Sequence, residues 1–549
     1  MPYPTRRQFL AASAAAPLAA ARSRRPNVLI ILTDDQGYGD LSLHGNPILK
    51  TPHMDSIGRQ GVQFTQFHVS PVCSPTRSSL MTGRYNYRTG VVDTYVGRSL
   101  MRPDEVTLPQ MLQSAGYRTG IFGKWHLGDN YPLRATDRGF DEAFVLHGGG
   151  LAQPADAPGS TGYFDPILWR NNVPTNTKGY CTDIFADAAS RFMEANRARP
   201  FFTYFATNAP HDPLQVEDRY VQPFLDAGVP KETAQLYGMV ANLDENVGKL
   251  LNTLRTLNLE RDTLVIYFSD NGPIGRDRFN AGMRGKKGTV YEGGIRVPCF
   301  VRWPGILKPG ATVDRLAAHI DLAPTILEAC GVAKPGKVQF DGKSLLPLAK
   351  KQKTEWPDRT LFFQWHRGNE PQAWRDCAAH NQKWKLVNGK ALYDLDTDPA
   401  ESQDVAASHP EVVAGLRRDY EAWFKDVSAR GFDPPRIVIG TDHENPTLLT
   451  RQDWRDPGEG WGILGHWEIE VAVDGDYEFT LRFPAQPPAG EAEIVVNGAA
   501  LAPAVPIDDQ ATIVKVGPLK LRAGKASLEP RLHFGATTIG PHYCEVRRV

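Results

Sequence analysis

The chain has 549 residues, 41% hydrophobic and 23% charged, ordinary proportions for a globular protein of about three or four domain-sized units. Lys plus Arg balance Asp plus Glu at 62 each, so no global field draws it to nucleic acid or to an anionic membrane surface. The six cysteines, at 73, 181, 299, 330, 377 and 544, are too widely spaced for a disulfide framework or a zinc site.

Residues 1–25 read as an export address. Thr5-Arg6-Arg7-Gln8-Phe9-Leu10 is similar to a twin-arginine signal, and the Ala-rich stretch 11–21 is too short to span a bilayer. Ala19-Ala20-Ala21 offers a small-residue cleavage site. A periplasmic or secreted location is predicted, and no later run reads as an integral membrane segment.

Asn27-Val28-Leu29-Ile30-Ile31-Leu32-Thr33 is a continuous apolar run, as a strand buried on both faces requires, and it ends in Asp34-Asp35. Next comes Cys73-Ser74-Pro75-Thr76-Arg77-Ser78-Ser79-Leu80-Met81-Thr82-Gly83-Arg84. Pro75 presets φ for a first helical turn, residues 76–82 suit a short helix, and Gly83 suits its stop. Cys73 is thereby placed at a helix N-terminus, where free N–H groups favour an anion, with Arg77 one turn on. Arg118-Thr119-Gly120-Ile121-Phe122 reads as a strand leading into Gly123-Lys124-Trp125-His126-Leu127-Gly128. An extended backbone there would point Lys124 and His126 to one side. Residues 151–180, rich in Gly, Pro, Asn and Thr, read as a long surface insertion.

Phe201-Phe202-Thr203-Tyr204-Phe205-Ala206 is a second buried strand, followed by a rigid loop with His211 between Pro210 and Asp212-Pro213. Leu236, Met239, Val240, Leu243, Val247, Leu250, Leu251 and Leu254 recur at the spacing of an amphipathic helix. Thr263-Leu264-Val265-Ile266-Tyr267-Phe268-Ser269 is a third buried strand and ends in Asp270-Asn271-Gly272. Buried strands alternating with helices predict an α/β domain over 26–344. Its sheet would be mostly parallel, with helices on both faces and the site at the strands' carboxyl ends.

A small antiparallel sheet plus helix is expected at 345–430, from Lys383-Trp384-Lys385-Leu386-Val387, the turn Asn388-Gly389, Ala391-Leu392-Tyr393-Asp394 and a helix after Pro410. Residues 431–440, with Pro434-Pro435, read as a linker. From 441 to 549 the texture is that of an antiparallel β-sandwich. Trp467, Ile469, Val471 and Val473 alternate with polar residues, Asp474-Gly475 suits a turn, and Tyr477, Phe479, Leu481 and Phe483 alternate again, which predicts a hairpin. Such sandwiches can bind sugars, but packing on the rest of the chain is the preferred expectation, since fold does not fix function.

Asp34, Asp35, Asp270 and Asn271 offer only oxygen. Carboxylates crowded at strand ends repel unless a cation lies between them, and oxygen-only donors suit Ca²⁺ or Mg²⁺ better than zinc. The pattern Cys-x-Pro-x-Arg followed by Leu-x-Thr-Gly-Arg, between these two acidic pairs, resembles the formylglycine-dependent type I sulfatases of the alkaline phosphatase-like superfamily. The resemblance covers about residues 26–430 and implies that a formylglycine-generating or radical maturation enzyme oxidises Cys73 to formylglycine. It implies one Ca²⁺, with Mg²⁺ the lesser choice, held by Asp34, Asp35, Cys73, Asp270 and Asn271. The catalytic residues it implies are Cys73, Arg77, Lys124, His126, His211 and Lys287. Arg77, Lys124 and Lys287 would hold the sulfate and His126 would bond the hydrated aldehyde, while His211 or Lys287 would meet the leaving oxygen. Lys287 is preferred to Lys286 because the family has Lys-Gly at this spacing before Glu-Gly-Gly, here Glu292-Gly293-Gly294.

The implied substrate is a sulfated small molecule or glycan. Trp365-His366-Arg367-Gly368 and Trp374-Arg375 would suit a sulfated or acidic sugar if they reach the site, with interdomain packing the competing role. Two other functions remain open at this stage. One is a phosphodiester or phosphonate monoester hydrolase of the same superfamily; the other is a non-catalytic glycan-binding protein whose Cys73 stays a thiol.

Overall fold

A computed structural model of the chain describes residues 25–275, 277–352, 355–458, 460–485 and 489–549. The twin-arginine-type stretch lies outside them, apart from Arg25. Among the described residues, ten strands make the central sheet: β1 Asn27–Thr33, β2 Val62–Phe64, β3 Arg118–Lys124, β4 Glu142–Leu146, β5 Ile167–Arg170, β6 Val173–Asn176, β7 Phe201–Ala206, β8 Thr263–Ser269, β9 Cys299–Arg302 and β10 Ala311–Val313. They lie in the order β10-β2-β9-β8-β1-β7-β3-β4-β5-β6. The central strands β8, β1, β7, β3 and β4 run parallel, as the buried apolar runs predict. Antiparallel pairings join β9 to β8 and β2, and carry β5 and β6 onto the far edge.

All seven residues of β1 are buried, and alternate side chains enter two different cores. Val28, Ile30 and Leu32 share one with Leu80 and Met81 of α1 (Cys73–Thr82) and with Leu108 and Leu112 of α2 (Leu108–Ser114). Leu29 and Ile31 share the other with Phe185 and Phe192 of α3 (Cys181–Ala195) and with Leu243 and Val247 of α4 (Lys231–Thr256). Each fully buried side chain of this kind contributes about 1.5–3 kcal/mol, so the run is held from both faces. The carboxyl ends of β1, β3 and β8 are thereby fixed side by side.

Two local expectations are corrected. Residues 151–180 are not merely a surface insertion, because they supply β5, β6 and the buried Leu151, Tyr163 and Leu168. The Tyr163 hydroxyl sits between the carbonyls of Asn208 (2.8 Å) and His211 (2.7 Å) and shares its one proton between them, so the segment braces the His211 loop. The strands Trp467–Val471 and Gly475–Arg482 do not form a hairpin. The first pairs with Ile437–Ile439 and Gly524–Phe534, and the second with Ile513–Leu521 and Tyr543–Arg548 in the facing sheet. Trp467, Ile469, Tyr477 and Phe479 meet in the core between the sheets. The alternation marked half-buried strands correctly, but the Asp474-Gly475 turn carries the chain across the sandwich.

The sheet ordered Leu361–Gln364, Cys377–His380, Trp384–Val387, Ala391–Asp394 is antiparallel throughout, and α5 (Pro410–Val427) follows it. Its hairpin turns at Asn388 (φ 52°) and Gly389 (φ 62°), the left-handed pair that a two-residue turn of this type needs. All six cysteines are buried and unpaired.

Candidate active site

The site is assembled where β1, β3 and β8 end. α1 begins at Cys73, and Gly83 stops it in the left-handed conformation (φ 67°) with its N–H on the Ser79 carbonyl. Cys73 is 2% exposed. Its Sγ and a carboxylate oxygen from each of Asp34 and Asp270 lie within 4.8 Å of one another. Burial pushes the Cys73 thiol up, against the pull of Lys124 and Lys287.

Arg77 is fully enclosed, and two of its nitrogens donate to Asp270 Oδ2, Nε at 3.1 Å and Nη2 at 2.7 Å. A third donates to the Lys124 carbonyl at 3.1 Å. Lys124 Nζ is 2.6 Å from Asp34 Oδ2, while Lys287 Nζ is 2.6 Å from Asp35 Oδ1, which also accepts from Asn271 Nδ2 at 2.7 Å. Lys287 thus reaches the acidic cluster, and Lys286 is exposed on the cavity rim. Burial opposes ionisation of Asp34 and Asp35, yet the neighbouring lysines and His211 hold both below the usual carboxylate range. Burial and the charge of Asp34 push Asp270 up to about 7.

Asp34 Oδ1, Asp35 Oδ2 and Asn271 Oδ1 are buried and have no hydrogen-bond partner among the described residues. Unpartnered buried acceptors are costly unless something positive meets them. This all-oxygen set fits a hard divalent cation.

Each histidine is held by one ring nitrogen. His126 Nε2 is 2.7 Å from the Thr94 carbonyl, which requires the proton there and leaves the buried Nδ1 unpartnered among the described residues. Burial and Lys124 push His126 well below its ordinary value. Its backbone is left-handed (φ 61°), not extended, so the Lys124–His126 alternation expected from the sequence does not hold. His211 Nδ1 is 2.8 Å from the Asp212 carbonyl, and its Nε2 is 3.7 Å from Asp35 Oδ2. Burial and Lys287 lower its pKa as well.

A cavity of about 620 Å³ opens over Cys73, His126, His211 and Lys287, with Tyr95, Trp365, Arg367 and Trp461 in its walls. A larger groove of about 750 Å³ lies beside Arg102 and Arg436, away from this chemistry, so donor groups rather than volume identify the site. Trp365 and Arg367 reach the cavity; Trp374 instead packs on Tyr420, ring centroids 4.0 Å apart.

Residues 26–332 match the family model described as Sulfatase, and 284–423 match N-sulphoglucosamine sulphohydrolase, C-terminal. The N-acetylgalactosamine-6-sulfatase of Mus musculus is 32% identical over 427 residues, 72% of this chain and 79% of that protein. This chain belongs to the sulfatase family. Arylsulfatase A of Homo sapiens is 30% identical, with 78% of this sulfatase and 93% of the relative covered. A solved structure described as Ps i-CgsB in complex with k-i-k-neocarrahexaose superposes with a TM-score of 0.68 at 29% identity, covering 75% of this sulfatase and 95% of that chain.

The structure brings together every site residue expected from the sequence. It adds several that spacing did not reveal. Arg278 Nη2 donates to the Asp35 carbonyl at 3.0 Å, from a loop with no helical or strand pattern to flag it. Glu292 is buried among His68 (3.2 Å), Lys385 (2.9 Å) and His380 (3.9 Å), which ties the helix turn after Lys287 to the four-stranded sheet. The Glu292-Gly293-Gly294 motif marked the position, but its partners lie 224 and 93 residues away.

Proposed function

We propose that this sulfatase removes sulfate from a sulfated carbohydrate by means of a formylglycine made from Cys73 and a divalent cation, preferably Ca²⁺. The observation that carries the reading is the convergence of Arg77, Lys124 and Lys287 with three buried carboxylates around Cys73. Arg77, Lys124 and Lys287 at least balance the ionised Asp34 and Asp35 and an Asp270 pushed up to about 7, so a bound divalent ion would leave the pocket net positive for a sulfate. Asp34, Asp35, Asp270 and Asn271 would hold that ion, with a fifth oxygen from the oxidised Cys73. When bound, it would polarise a sulfate oxygen and favour the ionised form of the attacking hydroxyl supplied by the hydrated aldehyde.

The chain's own residues do the rest. Arg77 and Lys124 are held rigidly by Asp270 and Asp34 and would orient the sulfate for in-line attack at sulfur. Burial opposes the charge on Lys287, but Asp35 and its acidic neighbours raise its pKa, so it stays charged and can donate to the bridging oxygen as negative charge grows there. His211, with its proton turned to the Asp212 carbonyl, donates from Nε2 only when protonated, which makes Lys287 the stronger donor at neutral pH. His126 presents the lone pair of Nδ1 and would take the proton when sulfate is expelled and the aldehyde re-forms.

A carbohydrate leaving group is supported by the aromatic and cationic walls of the cavity and by the relatives. N-acetylgalactosamine-6-sulfatase carries its sugar in its name, and the Ps i-CgsB structure holds k-i-k-neocarrahexaose. We take 26–344 as the catalytic unit and 345–430 as the smaller unit, with export through residues 1–25 to the periplasm or medium; the linker expected at 431–440 is shortened to 431–436 and the sandwich begins at 437, because Ile437–Ile439 is already one of its strands. Maturation would require a separate formylglycine-generating or radical enzyme. No helix among the described residues is long and apolar enough to cross a membrane.

The test is to express the chain with a maturation enzyme and measure sulfate release from an aryl sulfate and a panel of sulfated oligosaccharides. Labelling by an aldehyde-reactive probe at Cys73 is measured in parallel. Activity that tracks the label and is restored by Ca²⁺ after chelation is the expected result. An active enzyme with an unmodified thiol would sink the proposal.

A further inference from the structure

The Ps i-CgsB match covers 75% of the chain, and both family matches end by residue 423, before the sandwich begins. Yet Trp461, on the segment between sandwich strands Thr447–Thr450 and Trp467–Val471, lines the same cavity as Cys73. Its ring meets Tyr95 edge-on, with centroids 5.0 Å apart and planes at 78°. Arg367 continues that wall, its guanidinium carbon 4.4 Å from the Tyr95 ring centroid and 4.9 Å from that of Trp365. Buried Asp93 holds the group together, accepting from Arg367 Nη1 at 2.6 Å and from Trp365 Nε1 at 3.0 Å. The Arg367 side chain is still 52% exposed, so donors of its fork remain available to the cavity.

The sandwich also fixes the loop that carries Tyr95. Gln452 Nε2 donates to the Thr94 carbonyl at 2.9 Å, the same oxygen that accepts from His126 Nε2 at 2.7 Å. The Gly97 N–H donates to the Gln452 carbonyl at 3.2 Å, and Arg455 Nη1 to the Val96 carbonyl at 3.3 Å. Thr94–Gly97 is therefore clamped between the sandwich on one side and a residue of the reaction centre on the other. Simple packing between units would account for the clamp. It does not account for an indole and a half-exposed guanidinium facing the cavity.

Resting on the sulfatase reading, we propose that the sandwich completes the substrate pocket. Trp461, Tyr95, Trp365 and Arg367 form a subsite for the sugar adjoining the sulfated residue, and that sugar carries a carboxylate or a second sulfate. The cavity of about 620 Å³ lies within the ligand-pocket range of roughly 300–1,000 Å³, and a sulfate group fills only a small part of it. Rings supply flat apolar area for a pyranose face, while Arg367 and the rim amine of Lys286 supply the charge that matches an anionic substituent.

The experiment compares Trp461→Ala, Trp461→Phe and Arg367→Gln with the wild type on three substrates. These are para-nitrophenyl sulfate and sulfated tetrasaccharides with or without an anionic group on the adjoining sugar. Trp461→Ala should lower kcat/KM on the tetrasaccharides at least tenfold more than on the aryl sulfate, mainly through KM, and Trp461→Phe should recover most of the loss. Arg367→Gln should reduce the preference for the anionic neighbour about tenfold. Equal losses on all substrates, or no loss on any, would overturn the subsite while leaving the desulfation reading intact. A matured wild type inactive on every substrate would overturn both. If Trp461→Ala lowers the melting temperature, the half-exposed Arg367 variant decides by the same comparison.

Discussion

At the mouth of the sheet, Asp34, Asp35 and Asp270 are buried beside Arg77, Lys124 and Lys287. At the seam with the sandwich, Asp129 and Asp453 are buried, and among the described residues they have no comparable set of cations: Arg455 acts on Asp453, and Asp453, Glu444 and Asp156 act on Asp129. The outcomes differ accordingly. Cations at the mouth hold Asp34 and Asp35 ionised against the cost of burial, while burial and the charge of Asp34 push Asp270 up to about 7. At the seam, burial and then like charge push Asp129 well above its ordinary value, and burial pushes Asp453 up to about 7. Carboxylates held ionised, as Asp34 and Asp35 are, can bind ions, whereas carboxyls that keep their protons, as at the seam, respond to pH.

The strongest way to break this contrast is to remove the Cys73 sulfur, the proposed source of the nucleophile, and leave the charges. Cys73→Ala should lower sulfate release by at least about ten-thousand-fold and abolish aldehyde labelling, with little change in melting temperature. A residual rate within tenfold of the wild type would show that the charged cluster, not Cys73, carries the reaction. Removing one cation should convert the mouth into something like the seam. Arg77→Met strips Asp270 of two hydrogen bonds and should cost about 3–5 kcal/mol in a denaturant titration, with activity lost as well.

Two neighbouring lysines give a finer test. Lys287→Ala should reduce kcat about a hundredfold if Lys287, which contacts Asp35, meets the leaving oxygen as proposed, while Lys286→Ala should stay within about tenfold. Reversed sizes would show that Lys286 is the amine at the reaction centre. The smallest effect belongs to the seam. An unfolded aspartate titrates near 3.8 and Asp453 in the fold near 7, so between these values the folded chain keeps a proton that the unfolded chain releases. Its contribution is fully present below about pH 4 and is lost as pH rises towards 7. From pH 5 to pH 8 the wild type should lose about 2 kcal/mol more stability than Asp453→Asn. Parallel melting curves for the two proteins would show that this carboxyl does not hold its proton.

Much of the site was legible because its local parts are contiguous. Pro75 and Gly83 bracket one helix, and the acidic pairs sit directly after uninterrupted apolar runs. The orientation of His126 was not legible, since nothing in Trp125-His126-Leu127 announces a left-handed residue. Nor was the bracing of the His211 loop by Tyr163, 48 residues earlier.

Sequence alone determined which segments become buried strands and amphipathic helices, where α1 starts and stops, and which oxygen and nitrogen donors sit at strand ends. Those features depend on side-chain periodicity and on backbone preferences within a few residues. Only the tertiary structure decided that Tyr163 braces the His211 loop, that the strands around Asp474-Gly475 lie in opposite sheets, and that Trp461 enters the same cavity as Cys73. Each of these joins segments far apart in the chain, and such contacts are fixed by how whole layers pack, which no local pattern encodes.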